Sequence, residues 1–73
     1  MTEPSEIRIA RWVREHRRAL GWTVEDLVTV AGVSAAVVHA IESGVGTTRL
    51  ANVAAVIESL GGNLEVLDGR SSS

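Results

Sequence analysis

Cysteine is missing from all 73 residues, which removes disulfide frameworks and thiolate metal sites together. The two histidines, His16 and His39, stand too far apart for any zinc spacing, so no metal and no cofactor is expected. Lysine is missing as well, and all seven basic residues are arginine. Phenylalanine and tyrosine are absent. Trp12 and Trp22 are too few, and too little interleaved with basic residues, to build a stacking platform for single strands, and both read as packing residues. No apolar run approaches the roughly 20 residues that span a bilayer. MTEPSEIRIARW carries acids where a secretory signal would have a basic patch followed by an apolar stretch. A cytoplasmic protein with no membrane partner is expected.

What is present fits one small globular domain. The chain is 45% hydrophobic and 22% charged, and a chain this short buries only about 60% of its unfolded surface. The net charge of −2 is unevenly spread. Residues 1–22 hold five Arg against three Glu; residues 23–44 hold Glu25, Asp26 and Glu42 with no Lys or Arg; the rest holds two Arg against three acids.

Helical periodicity begins at Ser5. Ile9, Val13, His16 and Leu20 share one arc with Trp12 at its edge, while Arg8, Arg11, Arg14 and Arg18 lie opposite. That arginine face is either a solvated surface or a phosphate-binding one. Gly21 ends the helix. Thr23 then offers an N-cap, with Asp26 three residues on in place of the Glu or Gln of a full capping box. Leu27, Val28 and Ala31 form the buried face of this second helix and Gly32 stops it. Ser34 caps a third helix over Ala35–Ser43, which Gly44 closes.

Two short helices joined through a glycine turn make a helix-turn-helix unit. Thr48 is expected to cap a fourth helix, Arg49–Leu60, with Leu50, Val53, Ala54, Ile57 and Leu60 as its apolar stripe. Gly61 and Gly62 terminate it. NLEVLD reads either as a strand with Leu64 and Val66 on one face or as a helical turn capped by Asn63, the flanking glycines favouring the strand. A lone strand needs a second copy to pair with, which makes Leu64 and Val66 candidate dimerisation residues.

REHRRALGWTVEDLVTVAGVSAAVVHAIESG resembles the lambda-repressor and Cro type of helix-turn-helix domain, also called the XRE family. The framework that carries the resemblance is LGWT before the second helix, Leu27, the AGVS turn, the inward Val38 and Ile41, and IESG. GGNLEVLDG is similar to the tail of antitoxins of the HipB and HigA kind. The resemblance implies an all-α fold, a four-helix lambda-repressor-like domain with a short C-terminal strand or turn. Residues 6–68 would form the domain and residues 34–43 the recognition helix, with flexible ends at 1–5 and 69–73.

The resemblance also implies that the third helix enters the major groove of double-stranded DNA, with Ser34, Ala35, Ala36, His39, Ala40 and Ser43 nearest the bases. Thr23 and Val24, at the start of the second helix, would face one phosphate, and Thr47, Thr48 and Arg49 another. Arg17 and Glu42 would form a structural clamp. The chain departs from the family in having Val24 where a polar residue is usual, and alanine or valine at most positions facing the bases.

Arg or Lys reads guanine and Asn or Gln reads adenine, and none of these four residue types occurs in residues 23–44. Two functions follow. The first is a dimeric transcriptional repressor, antitoxin-like or phage Cro-like. The second is a protein-binding module that kept the fold and uses the apolar face of helix three to dock a cognate toxin or another regulator. Ser34 and His39 on one helix, with no orienting carboxylate, make no catalytic site, and the chain is not expected to be an enzyme.

Overall fold

The computed structural model describes residues 3–45 and 48–64. Four helices follow one another: α1 Ser5–Ala19, α2 Val24–Ala31, α3 Ala35–Glu42 and α4 Leu50–Ser59. α1 packs on α3, α2 on α3 and α4, and α3 on α4. No strand occurs among the described residues, and no single described helix is long and apolar enough to cross a membrane.

The helix ends are set by local chemistry. α1 carries Glu6 in its first turn and His16, Arg17 and Arg18 in its last, complementing the helix dipole at both ends. α2 opens with a complete reciprocal box: the Asp26 N–H donates to Thr23 Oγ1 at 3.1 Å and the Thr23 N–H donates to Asp26 Oδ2 at 2.9 Å. The shorter aspartate therefore reaches as far as the usual glutamate does. Gly32 sits at φ 71, in the left-handed region, and its N–H donates to the Val28 carbonyl at 2.9 Å. A side chain there would be strained. Two residues later the Val37 N–H donates to Ser34 Oγ at 3.2 Å and α3 begins.

The core draws on every helix. Ile9 and Val13 from α1, Leu27 from α2, Val38 and Ile41 from α3, and Val56, Ile57 and the C-cap Leu60 from α4 form one buried cluster. Trp12, Trp22, Val28 and Ala31 pack around it as partly buried residues. Trp12 stacks on His16, with ring centroids 3.8 Å apart, and His16 Nδ1 lies 2.9 Å from the Trp12 carbonyl. A carbonyl can only accept, so the hydrogen sits on Nδ1. Gly62 lies under this ring. A methyl there would collide with Trp12 and Ile57, so this glycine serves a close approach in addition to ending a helix.

Several sequence expectations need correction. Leu20 does not join the apolar face of α1: it is the C-cap residue and is 51% exposed, because the chain leaves the helix before Leu20 reaches the core. Thr48 does not cap α4. Arg49 occupies the cap position and no side chain supplies a cap hydrogen bond. The stripe of α4 is rotated toward Val56, which is fully buried, while Leu50 is 55% exposed. α3 and α4 each end one residue earlier than expected, with Ser43 and Leu60 as C-caps, a difference of the size by which helix ends ordinarily vary. Leu64 has helical backbone and packs against the core, so the helical alternative for NLEVLD holds at this residue and the strand does not. Val66 lies outside the described residues, as does Thr47.

Candidate nucleic-acid interface

The site is built on α2 and α3. The chain bends by 114° between them, across the three residues Gly32, Val33 and Ser34. An angle of about 90–120° over a short glycine-containing turn defines the helix-turn-helix arrangement. Val38 and Ile41 anchor α3 from beneath, both buried. Ala35, Ala36, His39 and Ser43 are exposed on the outer side, with Ser34 exposed at the start. Ala40 and Val37 are half-buried along the edges. The His39 imidazole has no hydrogen-bond partner among the described residues, while Ser43 Oγ donates back to the His39 carbonyl at 2.7 Å.

The chain belongs to the helix-turn-helix family. A family model of these domains matches residues 13–67, three quarters of the chain, spanning the turn and both helices. No curated protein and no solved structure gives a significant match. The lambda-repressor-like architecture expected from the sequence is the one observed, and at the level of the family this helix-turn-helix protein is a DNA-binding transcription regulator.

Behind α3, Arg17 and Glu42 meet in a two-pronged ion pair: Arg17 Nε donates to Glu42 Oε2 at 2.7 Å and Arg17 Nη2 to Oε1 at 3.1 Å. Their side chains are only 13% and 12% exposed. Arg17 Nη1 also donates to the Trp22 carbonyl at 2.8 Å. One guanidinium thus ties the end of α3 to α1 and to the loop entering α2. The Glu42 hydrogen bond raises the Arg17 pKa above its ordinary value, against the opposing effect of burial. Arg14 adds a bond that the sequence did not disclose, donating from Nη2 to the Glu42 carbonyl at 2.8 Å. It caps the C-terminal end of α3 with positive charge.

The expected phosphate contacts fare unevenly. At the start of α2, the Thr23 amide and hydroxyl are both engaged by Asp26. Glu25 and Asp26 put two carboxylates in the first turn, which occupies with the protein's own charge the place an anion would take. Val24 packs against the core rather than standing clear of it. Thr48 and Arg49 stand before α4, half-buried and exposed respectively. The described residues offer no group of three His, Cys, Asp or Glu side chains that could hold a metal ion.

Proposed function

We propose that the protein is a dimeric, sequence-specific transcriptional repressor that lays α3 in the major groove of duplex DNA. One observation carries this reading: Ser34, Ala35, Ala36, His39 and Ser43 are exposed along one side of α3, whose other side is anchored in the core by Val38 and Ile41. Ser34 and His39 supply the direct polar contacts, and Ser43 lies at the far end of the same row. The methyls of Ala35, Ala36 and Ala40 suit the C5 methyl of thymine. Arg49 and Thr48, with Thr47, hold the backbone beyond α3.

Each missing bidentate contact forgoes about 1–3 kcal/mol of discrimination, so the site depends on groove shape and on duplication. Two copies, with half-sites about 34 Å apart, double every contact. Leu64, half-buried beside the core, and Val66 are the residues we assign to that pairing, by side-chain packing and not by a paired strand.

The test is fluorescence anisotropy of labelled duplexes, comparing the region upstream of the protein's own coding sequence with scrambled DNA across a salt series. Tight, selective binding with a steep log-log salt slope supports the reading, and sedimentation in parallel supports or refutes the dimer. Equal, weak binding to both duplexes refutes it. That result would favour a second reading, for which the exposed alanine pair Ala35 and Ala36 beside Val37 speaks: an apolar helix face packed by a protein partner, a toxin or another regulator.

A further inference from the structure

A DNA-binding surface needs cations, and α2 and α3 contain none. Six arginines fall among the described residues, and their partners sort them. Arg17 is committed to Glu42. Arg11 is committed to Glu3 through two bonds of 2.7 and 2.6 Å. Arg8 leans on Ser5 at 3.5 Å, near the start of α1. Arg49 stands before α4. Arg14 and Arg18 remain, four residues apart on α1 and therefore side by side on its surface.

These two arginines share a groove of about 340 Å³ with Glu42 and Ser43 at the end of α3. Arg14 is held there by its bond to the Glu42 carbonyl, which uses one of the five N–H donors a guanidinium carries. Arg18 is exposed and has no ionic or hydrogen-bonded partner among the described residues. Of the acids lining the groove, Glu42 is neutralised by Arg17 and Glu15 alone remains to oppose the pair. Ser43 is at once part of this groove and the last residue of the outward row of α3.

Two electrostatic obstacles make this placement matter. The C-terminal end of α3 carries the negative pole of its dipole, which repels phosphate, and Arg14 covers that pole. At the start of α2, where an anion would ordinarily find backbone N–H groups, Asp26 takes the Thr23 N–H and, with Glu25, adds negative charge.

We propose that Arg14 and Arg18 form a phosphate clasp on α1 for the backbone of duplex DNA, at the C-terminal end of the reading helix. The clasp supplies from α1 the charge that α2 and α3 lack. It rests on the reading of α3 as a DNA-reading helix.

The experiment measures duplex binding by anisotropy across a salt series for the full chain and for Arg18→Gln, Arg14→Gln and the double variant, with thermal melts of each. The clasp predicts that the log-log salt slope falls by about 1 per arginine and protomer. Affinity should drop to a similar extent for the upstream and scrambled duplexes, because phosphate contacts carry no sequence information. Arg18→Gln breaks no ion pair or hydrogen bond among the described residues, so its slope reads the clasp with the structure intact. A wild-type slope in the folded Arg18→Gln and double variants would overturn the clasp and leave the reading helix standing. Absence of duplex binding by the wild-type chain at low salt would overturn the DNA reading and the clasp with it.

Discussion

The two sides of α3 have been built to different rules. The inner side is specified by size and by charge geometry: Val38 and Ile41 are buried, and Glu42 is pinned by two bonds from Arg17. The outer side presents Ser34, Ala35, Ala36, His39 and Ser43 to solvent, with one imidazole and two hydroxyls as its polar side chains. Sensitivity to mutation should therefore divide by side and not by position along the helix. Inner substitutions should unfold the domain, and outer ones should alter what it binds while leaving the fold alone.

The sharpest break of that contrast is Ile41→Ala. Truncating a buried isoleucine costs about 2–5 kcal/mol, a large share of the stability of a domain this small. Urea denaturation should show a midpoint far below wild type, and a midpoint close to wild type would mean that α3 is not anchored through its inner face.

Next in size is Arg17→Met. It leaves the Glu42 carboxylate nearly enclosed and unpaired, and breaking such a pair costs about 3 kcal/mol. The double variant Arg17→Met with Glu42→Leu should recover much of that loss, because an apolar pair removes the desolvation cost along with the charge. If the double variant is as unstable as the single one, the Trp22 carbonyl bond of Arg17, and not the ion pair, carries the clamp.

How much of this was legible beforehand also divides by locality. Thr23, Gly32, Ser34 and Gly44 act on their own neighbours, and they place both ends of α2 and of α3 within a residue. Arg17 with Glu42 was legible only through the family resemblance, since the residues are 25 positions apart. Arg14 was read as part of a face turned away from the core, because the periodicity of α1 cannot show that α3 ends beside it. Val56 and Leu50 were misplaced for the same reason: a stripe can be counted at 100° per residue, but its rotation against neighbouring helices is decided by packing. The resemblance sets Val24 at a phosphate, whereas its apolar side chain is half-buried against the core.

On the outer side, Ala36→Arg should change stability by no more than about 0.5 kcal/mol while strengthening binding to every duplex and steepening the salt slope by about 1. His39→Ala should be equally silent in a melt and should lower discrimination between the upstream and scrambled duplexes. A large loss of stability in either variant would erase the distinction between the two sides.

The smallest effect separates two ion pairs on the same helix. Arg11–Glu3 and Arg17–Glu42 have nearly equal lengths, 2.6 and 2.7 Å. The side chains of the first pair are 55% and 34% exposed, so water and salt screen it and the chain ordering it requires offsets its attraction. The Arg11 hydrogen bond holds the Glu3 carboxyl below its ordinary 4.5. A depressed carboxylate contributes stability above its unfolded pKa and loses it as pH falls through the folded one. Any difference between wild type and Glu3→Gln should therefore be full above about 4.5, appear only at low salt, and fade as pH falls through the lowered carboxyl pKa. At neutral pH in ordinary salt the two melts should coincide. A clear drop for Glu3→Gln under those conditions would show that bond length, and not enclosure, decides which of the two pairs matters.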